Sequence, residues 1–120
     1  MKKIHYILLS LAITAFLSCS SNDKKAQALA DGFMKEYLLN QDGISDVEYS
    51  EIDSTYHVSE SALTTMRNSR VDNYRKGISY GKPTKKLLYM SVKYKRKGNA
   101  EKQTFYFDDQ LSTVVAFKDN

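Results

Sequence analysis

His57 is the residue best placed for acid–base chemistry, because Asp53, Ser59 and Glu60 all lie within four residues of it. An imidazole oriented by a carboxylate is a working general base. The surrounding alternation argues against that use. Ile52, Ser54, Tyr56 and Val58 share one strand phase, which turns His57 to the opposite, solvent-facing side beside a helix start. The acids Asp42, Asp46, Glu48, Glu51 and Asp53 come just before it, without the Asp/Asn ladder, central glycine and terminal glutamate of a calcium loop. They read as a solvated strand edge. The one cysteine, Cys19, cannot supply a Cys/His metal cluster, and no glycine-rich phosphate loop occurs. No catalytic, cofactor-binding or metal-ligating residue is therefore predicted.

The cations are distributed more tellingly. Residues 24–58 hold three lysines against seven acids, whereas residues 59–107 hold twelve Lys and Arg against three acids. Lys85, Lys93, Lys95 and Lys97 share a strand phase with Tyr89, so one basic face with an aromatic in it is expected. The plain reading is a solubilising outer sheet face, partly paired with the acidic strand. The functional alternative is a patch for an envelope protein, an anionic glycan or the phosphates of lipid A. Arg67 and Arg70 interrupt an apolar stripe of Leu63, Met66 and Tyr74. The expected arrangement lays their stems on the core and leaves the guanidinium in water; anion binding in a pocket is the alternative.

The elements that position these groups follow an export-like leader. Lys2 and Lys3 precede the unbroken run Ile7 to Leu17, ILLSLAITAFL, and Cys19 follows after Ser18. As a helix this run spans about 17 Å, short of the roughly 30 Å of a bilayer core, so it fits a signal peptide better than a membrane span. Phe16-Leu17-Ser18-Cys19 resembles the lipobox of bacterial lipoproteins, with Phe16 in place of the usual Leu and Leu17 in place of a smaller residue. The LSCS form is similar to lipoproteins of the Bacteroidota. The resemblance implies that 1–18 are removed, that Cys19 carries diacylglyceryl and palmitate-type chains, and that 19–23 form a lipidated tether. Since Ser20 is not the Asp that retains such proteins in the inner membrane, it also implies the outer membrane, facing the periplasm. Without its leader the chain is near neutral, unlike a uniformly cationic nucleic-acid binder.

A single domain is expected over 24–120. Ala26, Leu29, Ala30, Phe33, Tyr37 and Leu38 predict a helix over 24–39, started by Asn22 or Asp23 and ended by Asn40 with Gly43. A strand over 46–58 changes phase near Ser50, which predicts a bulge or bend. Ser59 caps a second helix running to about Lys76. Three strands follow, the first from Leu88 to Lys95, with turns at Gly98-Asn99 and Asp108-Asp109-Gln110 and a last strand through Leu111, Thr113, Val115 and Phe117.

The predicted fold is α+β: two helices on one face of an antiparallel sheet, in the order α-β-α-β-β-β. That order resembles the cystatin-like group, including the cone-shaped fold of nuclear transport factor two. MSVKYKRKGNAEKQTFYFDDQLSTVV is also similar to the terminal hairpins of small Bacteroidota lipoproteins. The expected role is a noncatalytic binding or accessory module; the alternative is a small enzyme with a pocket between sheet and helices. The leader reading yields a direct test. Globomycin is expected to cause the precursor to accumulate, and Cys19→Ser to abolish both acylation and membrane retention; a Cys19→Ser chain still processed and membrane-bound contradicts it.

Overall fold

A computed structural model describes residues 21–120. The predicted signal peptide, the Cys19 lipidation site and Ser20 lie outside the described residues. Helix α1 (Ser21–Tyr37) buries Ala26, Ala30, Phe33, Met34 and Tyr37, the spacing that lays one apolar stripe on a sheet. Ser21, Asn22 and Asp23, expected in the tether, are part of this helix. Asp23, expected as an N-cap candidate, instead accepts the Ile52 amide at 3.2 Å and so links the helix to the sheet. At the other end Asn40 adopts a left-handed φ of 55°, which a short polar side chain tolerates. A 3₁₀ turn (Gln41–Gly43) follows, and Gln41 turns its amide under the helix. Its Nε2 lies 2.8–3.1 Å from the carbonyls of Leu38, Lys35 and Met34, where intrahelical donors run out.

Strands β1 (Ile44–Tyr49) and β2 (Asp53–Thr55) pair in succession with β3 (Leu87–Arg96). With β4 (Asn99–Phe107) and β5 (Val114–Asp119) they make one five-stranded antiparallel sheet. The expected break near Ser50 is present. The register shifts once between Ser45 and Glu48, where Asp46 has φ 54°, and again between Tyr49 and Asp53. Ser50 bridges the gap: its N–H donates to Ser91 O at 2.9 Å, and its Oγ accepts the Ser91 N–H at 2.8 Å.

The β3–β4 turn is Lys97-Gly98, one residue earlier than expected, with φ of 50° and 83°. Two successive positive φ values give the hairpin turn that matches strand twist. The last strand starts at Val114 rather than Leu111. Asp108 holds the intervening loop by accepting the Ser112 N–H at 2.7 Å, the Thr113 N–H at 2.9 Å and the Ser112 hydroxyl at 2.5 Å.

Helix α2 (Glu60–Asn68) begins as predicted, with Ser59 Oγ accepting the Ala62 N–H at 3.1 Å. It ends eight residues before Lys76. Thr64 and Thr65 turn their hydroxyls back onto the Glu60 and Ser61 carbonyls, and Ser69 closes the helix. The chain then wraps around the β5 edge. Arg75 N–H donates to Tyr37 O at 2.8 Å and Leu39 N–H to Asn73 O at 2.6 Å, drawing Tyr74 into the α1 side of the core.

That wrap corrects the expected placement of both helices on one face. Phe33 of α1 packs with Met90, Phe105 and Phe117, whereas Leu63 of α2 packs with Leu87, Tyr106 and Val115. Tyr106 lies between Phe105 and Phe107 in one strand, so the two clusters occupy opposite faces. Val114, Val115, Ala116 and Phe117 are consequently all buried. Among the described residues no helix is long and apolar enough to cross a membrane.

The Asp108 loop carries a pH dependence. Burial alone would raise this carboxyl, but the Ser112 hydroxyl and the Thr113 and Ser112 amides outweigh it and hold its pKa below the ordinary value. Such a group contributes stability above the unfolded-state pKa, about 3.9, and loses it as pH falls through the lower folded-state value. Asp108→Ala is expected to cost about 2 kcal/mol at neutral pH, and to lose less further stability on acidification than the parent. Urea titrations at a series of pH values check this; parallel acid losses in the two chains contradict it.

Candidate functional site

The sheet face bearing α2 is apolar only at one end. Cross-strand partners share a face, so the pairs Tyr89↔Tyr106, Ser91↔Thr104, Lys93↔Lys102 and Thr104↔Lys118 define its rows. Tyr89 and Tyr106 pack beside Leu63 under α2, with ring centroids 5.7 Å apart. Past the joined hydroxyls of Ser91 and Thr104, at 3.0 Å, the face becomes cationic. Lys93, Lys95, Lys102 and Lys118 are all exposed there. Lys93 stands between Glu48 on β1 and Lys102 on β4, and Lys95 Nζ lies 3.8 Å from Asp46 Oδ2. The acidic strand thus flanks only the β1 edge of this face.

The structure brings together part of the predicted basic patch. Lys93 and Lys95 lie on one face with Tyr89. Tyr89 is not free among them: its hydroxyl donates to Asp53 Oδ2 at 3.3 Å and its ring belongs to the α2 side of the core. Lys97 occupies the hairpin turn, whose positive φ takes it out of the ladder, and its stem lies against Gly43. Lys85 precedes β3, in a bend. Lys102 and Lys118 were not in the predicted patch. Alternation within one strand cannot identify them; the signal is the pairing of β4 and β5 with β3.

His57 is exposed in the β2–α2 connection, where its N–H donates to Thr55 Oγ1 at 3.0 Å. It lines none of the clefts described here. Among the described residues no three His, Cys, Asp or Glu side chains converge as a metal-binding group.

Arg67 differs from the expected snorkelling arrangement. Its Nε donates to Val115 O at 2.8 Å and its Nη2 to Gly81 O at 2.9 Å, so the guanidinium fork joins the β5 edge to the returning loop. Gly81 also donates its N–H to Val114 O at 3.0 Å. A methyl group at Gly81 would overlap Thr113, which explains glycine at this close approach. Arg70 is exposed, beyond the end of α2.

Beside this junction lies a cleft of about 340 Å³, between the end of α2, residues 69–78 and the β5 edge. Tyr74, Tyr80 and Phe117 line it together with Arg67, Arg70 and Arg75. Burial pushes the Tyr80 phenol up to about 12, against the opposing charge of Arg67, so Tyr80 stays a neutral donor at physiological pH.

Comparison with family models, curated proteins and solved structures finds no match to this chain. Its chemistry is read from the geometry above.

Arg67 has a measurable structural role. Arg67→Met is expected to destabilise the domain by about 2–3 kcal/mol, because two carbonyls lose a charged donor. Arg67→Lys should recover less than half of that, since an ammonium cannot reproduce the fork. Urea denaturation of both variants checks this, and equal stability of Arg67→Lys and the parent contradicts it.

Proposed function

We propose that this chain is a noncatalytic binding module of the bacterial envelope, attached through an acylated Cys19 and resting on anionic surfaces through Lys93, Lys95, Lys102 and Lys118. The attachment rests on the lipobox-like context of Cys19, and the outer membrane facing the periplasm is the proposed location. The observation that carries the binding reading is the Lys93↔Lys102 pair. Like charges directly opposite one another destabilise a sheet. Here two cations face each other across adjacent strands, with two more lysines on the same face, and the acids of β1, Glu48 and Asp46, stand beside Lys93 and Lys95 but not beside Lys102 and Lys118. An anionic partner relieves that repulsion, and each lysine near a negatively charged membrane contributes on the order of 1 kcal/mol.

The noncatalytic part is supported by where the titratable groups fall. His57 is exposed on a connection, and the α1 side of the sheet is filled by aromatic rings rather than convergent polar groups.

Residues 21–120 are expected to sediment with vesicles containing lipid A or phosphatidylglycerol at low salt, and to be released as NaCl rises from about 0.05 to 0.5 M. Lys93→Glu combined with Lys102→Glu should weaken binding at least about tenfold. Lys85→Glu with Lys97→Glu, off the strand face, should change it less. Competition by a soluble anionic glycan separates a glycan partner from a lipid one. Equal binding to zwitterionic vesicles, or indifference to the strand-face lysines, overturns the proposal.

A further inference from the structure

The cleft at the β5 edge is a second gathering of positive charge, with different chemistry from the lysine face. Its floor is apolar and aromatic, formed by Val71, Tyr74, Ile78, Tyr80 and Phe117. Its rim carries Arg67, Arg70, Arg75 and Lys76, and no aspartate or glutamate lines it. The ion pairs among the described residues, Lys95–Asp46 and Arg96–Glu101, lie elsewhere. Among the described residues no rim cation makes an ion pair, and the acid of the same segment, Asp72, lies outside the lining; a cleft lined by one sign of charge over low-dielectric walls concentrates the opposite ion.

Two of these cations are held in place. Arg67 is fixed by the Val115 and Gly81 carbonyls and lies 5.4 Å from the Tyr80 ring centroid. Arg75 sits 5.5 Å from the centroid of Tyr37, while its main chain is bonded to Tyr37 O. Cations ordered before binding lose less entropy when an anion arrives. Arg70 and Lys76 are exposed and free to turn inward. The volume of about 340 Å³ is at the small end for ligand sites, which run from about 300 to 1,000 Å³. It suits one or two rings or a short acyl chain, and is too small for a folded partner.

The geometry points to a small organic anion as the ligand of this cleft: a carboxylate or phosphate head group on a flat or short apolar body. The head group lies among Arg70, Arg75 and Lys76, and the body rests on Tyr74, Tyr80 and Phe117. Both halves are needed, because the floor offers no charge and the rim offers little apolar contact. This site does not depend on the lysine face, which lies on the opposite side of the sheet from Tyr74 and Phe117.

The full chain titrated with 2-naphthoate and with 1-naphthyl phosphate, followed by calorimetry, provides the test. At least one of the two is expected to bind saturably, at least tenfold more tightly than uncharged 2-naphthol and than inorganic phosphate; which one is tighter identifies the head group. Arg70→Gln with Arg75→Gln should reduce that affinity at least tenfold. Arg70→Gln with Lys76→Gln serves where the first pair lowers the melting temperature. Lys93→Glu with Lys102→Glu should leave it unchanged, which separates this site from the membrane-facing one. Equal binding of 2-naphthol, indifference to both rim pairs, or failure of both anions to bind overturns the inference.

Discussion

The contact of Phe33 with the stacked Phe105–Phe117 pair holds the rest of the molecule in register. The two sheet rings lie 5.6 Å apart and nearly parallel, and Phe33 meets them edge-on at 5.5 and 5.1 Å. Each such ring contributes about 1.5–3 kcal/mol by burial, and aromatic pairing adds about 0.5–1.5 kcal/mol. Because Phe117 is on β5 and Phe105 on β4, this contact fixes α1 across the far half of the sheet. The helix end must then arrive beside β3. There Arg96, 8% exposed, donates to the Leu39 and Asn40 carbonyls at 2.8 and 3.2 Å, and its Nε lies 3.3 Å from Glu101 Oε2. The left-handed turn at Asn40, the 3₁₀ turn and the entry into β1 all follow from that position. Filling this side with rings leaves the space between α1 and the sheet occupied by side chains.

β5 imposes a second constraint. A strand buried on both faces and lying at the edge of a sheet exposes backbone groups that invite pairing with another chain. Here the edge is covered without a further strand. Gly81 supplies one amide, Arg67 supplies a forked donor, and residues 69–80 carry the chain from the α2 face to the α1 face. The cleft is a consequence of that crossing, since a chain passing round an edge cannot pack flush against both helices at once. The cations beside it come from the same segment, in which Arg70, Arg75 and Lys76 fall within seven residues.

Where local periodicity is enough, the sequence was legible. The apolar stripe of α1, the Ser59 cap, the break at Ser50 and the alternating β3 and β4 could each be read from a window of a few residues. Features set by distant partners could not. The stripe Leu63, Met66, Tyr74 has helical spacing, yet Leu63 and Tyr74 end on opposite faces of the sheet because Tyr74 is bridged to Leu38. Arg67 reads as a snorkelling side chain until Val115, 48 residues away, is placed beside it. The lysine face shows the same division. Lys93 and Lys95 could be found by alternation, whereas Lys102 and Lys118 required the register, and Lys97 was removed by a turn that needs positive φ.

Polar residues within the hydrophobic layer follow the same logic as the surface charges. Gln103 is fully buried, accepts the Tyr74 hydroxyl at 3.3 Å and donates to Asp119 Oδ1 at 3.0 Å. The Tyr94 hydroxyl is also buried, beside the Tyr74 hydroxyl and the Gln103 side chain, and makes no well-formed hydrogen bond among the described residues. Together with the Lys93↔Lys102 repulsion, these are the points where the chain departs from what stability alone favours. Such conflicts concentrate at sites under a second requirement. The exposed conflict is the more informative of the two, because an external anion can relieve it whereas the buried hydroxyl is closed off from solvent. Function is therefore better sought on the lysine face and at the open β5 edge than in the filled space beneath α1.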